Sequence, residues 1–419
     1  MNRIFTTLLG ALLLINLSFA QDTPNGSLYV LNEGAFGGLG TIGKIEYPAG
    51  TYQHIDSIEA FGNQILVHNN MLYAVDGLGD ILVYDAQNNY APVDTLTGLS
   101  ARGIAFFGSQ LLVASANVAP FFRALDVNNG YSEIYNLDSV DLPSSRESIQ
   151  ILGDYAFVSA YGFPSDSSVA VINLSGQIVQ TLIETEVNPT SVIAVQGNIW
   201  VGCPDFFNNQ TIIQQINPTS FQVTHTDTVG VYNGSLTHDD DEIFFDDLNG
   251  SGVVLEYDVT DMEVDTMTID TTGFDGNVYA MTYSDEAELF FYSLTDYVTF
   301  GQVGYFDESG TSPALSTYIS PRRMFFVQST AASVDPIASV SSISLYPNPA
   351  QDFLQIKRED ASAAAALTIY DLQGKMLLQT AFEAGAETMT VPVQHFPAGM
   401  YQVQVVNGQN SWTGKIIKR

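Results

Sequence analysis

One unit recurs along most of the chain: a short apolar strand, a tight turn, a second apolar strand, a loop, and then an alternating strand. It is clearest in Ile65-Leu66-Val67, Leu72-Tyr73-Ala74-Val75 and Ile81-Leu82-Val83-Tyr84-Asp85. The unit returns at Ile104 with Leu111-Leu112-Val113, at Ile149 with Tyr155-Ala156-Phe157-Val158 and at Val192 with Ile199-Trp200-Val201. It returns again at Leu236 with Ile243-Phe244-Phe245 and at Val278 with Leu289-Phe290-Phe291. Successive second strands fall about 39 to 46 residues apart, the length of one four-stranded propeller blade. A seventh unit is split between the ends. Ser27-Leu28-Tyr29-Val30-Leu31 reads as a second strand lacking a first, and Met324-Phe325-Phe326-Val327 as a first strand lacking a second. Joining them closes a ring without an exposed edge, whereas an array of β-sandwiches gives no reason for such complementary fragments. The expected fold is all-β, with a seven-bladed β-propeller over residues 21–330.

Charge divides the chain in two. Residues 21–340 hold 40 acidic and 6 basic side chains, whereas residues 341–419 hold 6 of each. The shift and the small-residue stretch Ala331-Ala332-Ser333-Val334-Asp335-Pro336 place a linker at 331–340. A field this negative repels phosphate backbones, so nucleic acid is not an expected partner. Met1-Asn2-Arg3, the apolar run from Ile4 to Phe19 and the small residues of Ser18-Phe19-Ala20 predict a signal peptide over residues 1–20, cut before Gln21. That run is too short for a membrane span of about 20 apolar residues, and no later segment approaches that length. Cys203 is the single cysteine. No internal disulfide can form, and with Pro204 beside it and no basic neighbour it reads as a structural thiol.

Residues 341–419 carry four motifs in order: Ser344-Leu345-Tyr346-Pro347-Asn348-Pro349, then Ile369-Tyr370-Asp371-Leu372-Gln373-Gly374-Lys375, then Phe396-Pro397-Ala398-Gly399-Met400-Tyr401-Gln402-Val403, and the basic Lys415-Ile416-Ile417-Lys418-Arg419. In these the segment resembles the type A C-terminal sorting domain of the type IX secretion system, with Tyr346, Pro347, Asn348, Pro349, Gly374, Gly399 and Tyr401 as sorting-motif residues. The resemblance implies a small immunoglobulin-like β-sandwich, recognition by the type IX machinery, and display at the outer-membrane exterior. It further implies removal of the tail, after which the body is attached to surface lipopolysaccharide or released. The body resembles the YncE-like propellers of the DUF5074 type, on Val30-Leu31-Asn32-Glu33-Gly34-Ala35-Phe36 and the strand spacing. That group includes surface binders, among them corrinoid-capture proteins.

Propeller geometry sorts residues by face. Loops leading into first strands, and loops between second and third strands, open on one face; first-to-second turns open on the other. His68 and His238 fall in first-to-second turns and His54 and His225 on outer strands, so no catalytic or metal-binding histidine cluster is expected. Arg102, Arg146 and the pair Arg322-Arg323 precede first strands, and Arg123 falls in a second-to-third loop. All five therefore map to one face, either as an anion-recognising spot, since guanidinium groups suit carboxylate or phosphate, or as ties to acids of adjacent blades. Phe36, Phe121, Phe122, Tyr161, Phe163, Phe206, Phe207 and Tyr297 crowd the same face, as aromatic rims that bind sugars, rings or protein do. His238-Asp239-Asp240-Asp241-Glu242 and Asp246-Asp247-Leu248-Asn249-Gly250 lack the spacing of a calcium loop, and no nucleophile elbow, zinc motif or phosphate loop occurs. The sequence thus predicts a surface-displayed binder of a glycan, a corrinoid-like molecule or a protein, with no cofactor, metal or catalytic residue. An adhesion or matrix propeller and a propeller hydrolase or lyase are the alternatives.

Overall fold

The computed structural model describes residues 24–36, 38–59, 61–160, 162, 166–230, 236–246, 253–269, 276–307, 310–312, 314–329, 343–358, 364–370, 376–407 and 410–419. The expected signal peptide and the linker at 331–340 lie outside them. The chain forms two compact units that divide between Ser329 and Thr330.

The first unit is seven antiparallel blades. Blade two is typical, with strands Gln64–His68, Met71–Val75, Ile81–Asp85 and Ala91–Leu96 paired in chain order. Blade three starts at Ala101–Phe107, blade four at Arg146–Leu152, blade five at Ser191–Val195, blade six at Leu236–His238 and blade seven at Asn277–Ser284. Blade one is built from both ends: Pro321–Gln328 pairs with Gly26–Asn32, which continues to Gly40–Tyr47 and Thr51–Ile58. Leu28 lies opposite Phe326 and Val30 opposite Met324, so the split seventh unit is realised as predicted.

The apolar runs form strands without polar alternation because both faces of each sheet are covered. Along Gly26–Asn32, Leu28 and Val30 point to blade seven while Tyr29 and Leu31 point to blade two. Each of the seven gaps between neighbouring blades holds its own buried cluster. Fully buried Trp200 of blade five, for example, packs on Tyr257 of blade six, with ring centroids 5.8 Å apart. Fourth strands are wet on one side, and Gln222–Val229 alternates exposed and half-buried residues.

Turns repeat as well. The third strand of blades two to six ends in Asp85, Asp126, Asn173, Asn217 or Asp258, whose side-chain oxygen accepts backbone N–H groups two or three residues on. This local bond favours a turn over continued strand. The first-to-second turns at Asn69-Asn70 and Gln196-Gly197 take positive φ at both residues, the geometry that matches strand twist in two-residue hairpins.

The second unit packs the sheet Ile343–Tyr346, Phe353–Arg358 and Thr388–Pro392 against the sheet Met376–Phe382, Ala365–Tyr370, Gly399–Asn407 and Asn410–Lys418. Leu354 and Ile356 of one meet Leu367, Ile369 and Val403 of the other in a single core, a β-sandwich.

Closure yields a test. Deleting Met324–Gln328 strips blade one of its inner strand, bares the edge of Gly26–Asn32 and opens two apolar clusters. Cooperative melting followed by circular dichroism should be lost; an unchanged melt would contradict the ring.

Candidate functional site

The first strands of all seven blades surround a cavity of about 320 Å³ on the propeller axis. Several of its polar side chains arise from local irregularities in the strands. Where first strands pair with second strands, the register slips: Arg323 faces Leu31 but Pro321 faces Asn32, Ala101 faces Ser115 but Gly103 faces Ala114, and Val278 faces Leu294 but Ala280 faces Ser293. In blade four the slip falls between Arg146 and Ile149. A bulge leaves an extra residue out of the ladder and re-aims its side chain. The residues at these slips are Arg322, Arg102, Tyr279 and the pair Glu147-Ser148; Arg322, Arg102, Glu147 and Ser148 line the cavity, while Tyr279 bonds Glu33.

Arg102 donates from Nε and Nη2 to the two carboxylate oxygens of Glu147, each at 2.8 Å, tying blade three to blade four. Gly103 permits this approach, because a Cβ there would lie 2.4 Å from the Glu147 carbonyl oxygen. Arg322 Nη1 bonds Glu33, whose other oxygen accepts the Tyr279 hydroxyl at 2.5 Å. Arg323 Nε donates to the Asn63 carbonyl at 2.8 Å. Burial works against the Arg322 charge, but the Glu33 carboxylate overcomes it and raises the Arg322 pKa. Arg323 is pushed down to about 10 by burial and by the neighbouring Arg322 charge.

Three of the five arginines therefore meet, and two do not. Arg146 keeps its place in the ladder opposite Ala160 and is 0 % exposed. It bonds Ser144 and Ser168 hydroxyls and the Val158 carbonyl inside blade four, and burial lowers its pKa to about 10. Such burial leaves it no surface to offer a ligand. Arg123 lies within the third strand rather than in the loop before it, where Nη1 donates to the Ser115 hydroxyl at 3.3 Å and Nε pairs with Glu133 at 3.4 Å. Glu33 is hidden from sequence reasoning as a site residue because its partner is 289 positions away; the only local signal is a carboxylate directly after a second strand.

The aromatic rim is more selective than the loop map implied. Phe122 opens a third strand and is fully buried, whereas Phe36 is 97 %, Phe206 67 % and Phe207 78 % exposed, with Tyr297 also exposed. Tyr161 and Phe163 lie outside the described residues. Among the described residues of the propeller, the exposed large apolar side chains outside fourth strands all sit in loops opening on this face, including Leu39, Leu78, Val118, Val298 and Phe300.

Elsewhere the chemistry is scattered. His68 stacks on Phe106 at 3.9 Å, His225 approaches the Tyr257 hydroxyl, and His54 is exposed on an outer strand. Cys203 is buried between blades four and five, which raises its pKa. No group of three potential metal ligands gathers among the described residues. On the opposite face the Glu242 carboxyl is pushed up to about 8, by burial first and then by Glu256.

In the second unit the sorting motif binds both ends of its sandwich together. Asn348 donates Nδ2 to the Lys415 carbonyl and accepts the Ile417 N–H, while Ala350 bridges to Lys418. Tyr401, two residues into the strand that begins at Gly399, donates its hydroxyl to the Pro397 carbonyl at 2.6 Å. Tyr346 is partly exposed beside Pro347 and Pro349, and Gly374 lies outside the described residues.

Residues 344–419 match the family of secretion-system C-terminal sorting domains. No curated protein matches the chain. Among solved structures, a functionally unknown protein from Desulfotomaculum acetoxidans matches with a TM-score of 0.52 at 11% identity, covering 73% of this chain and 99% of that one. Kuenenia stuttgartiensis hydrazine synthase matches with a TM-score of 0.51 at 13% identity, covering 64% and 96%. At such identities the likeness concerns the fold alone. The sorting domain makes this a protein secreted through the type IX route and displayed at the cell surface.

The tail and the acidic turn can each be tested. A chain ending at Val340 should fold, shown by a cooperative melt, yet fail to reach the surface when cells are probed with antibody. The Glu242 carboxyl has a folded pKa above its ordinary 4.5, so folding favours its proton. That contribution is full below about 4.5 and lost as pH rises through about 8. Glu242→Gln should therefore melt higher than the native protein at pH 9 and at the same temperature at pH 4.

Proposed function

We propose that this protein is a surface-displayed binding propeller that holds its partner on the face built by the second-to-third-strand loops and performs no chemistry on it. The observation that carries the reading is that, outside the fourth strands, the exposed large apolar side chains described in the propeller all stand on that face, with none in the described turns of the other. Isolated exposed apolar residues are ordinary, but a ring of them marks an interaction surface. Phe36 stands on blade one, Phe206 and Phe207 on blade five, and Val298 and Phe300 on blade seven. This spread favours an occupant wide enough to cover the channel mouth: a glycan, a large ring such as a corrinoid, or a protein. The same width supports the adhesion reading. Assignment to the YncE-like DUF5074 group belongs to this proposal, supported by Glu33 and Phe36 of its motif standing at the mouth and rim. Removal of the tail and attachment to lipopolysaccharide belong to it too.

The test uses the mature full-length chain and its variant carrying Phe36→Ser, Phe206→Ser and Phe207→Ser. Exposed positions should shift stability by no more than about 0.5 kcal/mol, so melting should barely change. Retention on glycan arrays, immobilised corrinoids or host extracellular proteins should weaken at least about tenfold, equivalent to about 1.4 kcal/mol. Equal retention by both chains would defeat the rim reading.

A further inference from the structure

The cavity on the axis offers chemistry that the rim does not. Counting Glu33, bonded to Arg322 at its mouth, it gathers three guanidinium groups against two carboxylates. That positive excess sits inside a region with 40 acidic and 6 basic residues. The excess is also localised. The charge of Arg102 is paired with Glu147 and that of Arg322 with Glu33. Arg323 has one hydrogen bond among the described residues, from Nε to a neutral carbonyl, and its two Nη groups have no partner among them. The Glu147 carboxylate acts on Arg322 and Arg323 as well as pairing with Arg102, so these groups form one electrostatic unit.

We propose that the channel cavity binds a small hydroxylated carboxylate, such as a sugar acid, with the Arg323 guanidinium as its anchor. A planar guanidinium edge matches a carboxylate in two parallel hydrogen bonds, and one such group cancels the excess charge. The volume of about 320 Å³ lies at the lower end for small-molecule pockets. Its walls include Ser148, Thr190, Thr237 and Thr282, contributed by four different blades. Hydroxyl-bearing residues spaced around a ring suit a polyhydroxylated body. The acidic surroundings disfavour polyanions, which selects a single carboxylate over a phosphate.

The probe is glucuronate, with glucose and inorganic phosphate as comparators, added to the mature full-length chain and followed by calorimetry and melting. Glucuronate should give saturable binding and a raised melting temperature, glucose none, and phosphate a weaker response. Arg323→Gln should lower glucuronate affinity at least about tenfold, the cost of losing one charge-assisted pairing. Gln64→Glu provides a second arm that does not remove an arginine. Gln64 lines the cavity and its Oε1 accepts the Ile104 N–H at 2.6 Å; glutamate keeps that acceptor and places a built-in anion among the arginines. This variant should melt higher than the native chain and lose its response to glucuronate. A native chain indifferent to millimolar glucuronate, a phosphate response exceeding that of glucuronate, or a Gln64→Glu variant that still binds glucuronate would each overturn the proposal. The rim variant should bind glucuronate normally, so failure of one reading leaves the other standing.

Discussion

Every blade of this propeller is apolar on both faces, and that constraint governs the rest. A sheet of this kind needs two neighbours, and a linear row would leave two blades half bare. A ring satisfies all of them, with one buried cluster in each gap. The pairing of Gly26–Asn32 with Pro321–Gln328 completes it. This pairing does more than close an edge. It brings Glu33, just past one strand, against Arg322, at the start of the other, and so assembles part of the channel mouth from residues at opposite ends of the unit.

Much of this was legible in the sequence, because the governing interactions are periodic. Apolar runs at Leu72, Leu111 and Ile199 recur at blade length, and the half-units at Ser27 and Met324 are complementary. The tail motif was legible for a different reason: Asn348 acts on backbone groups of Lys415 and Ile417, a role that fixes residue type at a fixed place. What could not be read was register. Arg102 and Arg146 read alike in sequence as residues ahead of first strands, whereas both lie within them, and a one-residue slip sends Arg102 to the channel while Arg146 stays in the ladder and is buried. Phe36 and Phe122 are likewise equivalent by loop position, and one is bare while the other is core. Such slips depend on the partner strand, which local pattern does not encode. The Asx turns ending third strands, from Asp85 to Asp258, are a periodic signal that lies between the strands rather than in them.

Polar side chains serve two purposes in the ring. Many tie one blade to the next near the axis: Gln64 accepts from Ile104 N–H, Ser191 from Leu236 N–H and Thr237 from Tyr283 N–H. These bonds occupy backbone groups that inner strands would otherwise leave without partners, since a first strand has a ladder on one side only. Arg102 and Arg322 extend this arrangement with charge, at positions where bulges free a side chain from the ladder.

Closure by the last strand also dictates the order in which the molecule can become itself. Gly26–Asn32 leads the unit, but its inner neighbour arrives only with Pro321–Gln328, so the decisive contacts join segments almost a whole unit apart in sequence. Bringing such ends together carries a loop-closure entropy that grows slowly with length, and contacts of this separation form late. A chain made from its amino end therefore carries an unfinished first blade until Pro321–Gln328 has been made. The missing strand emerges just ahead of the sorting domain, so the ring becomes complete at about the moment its export tag comes into view.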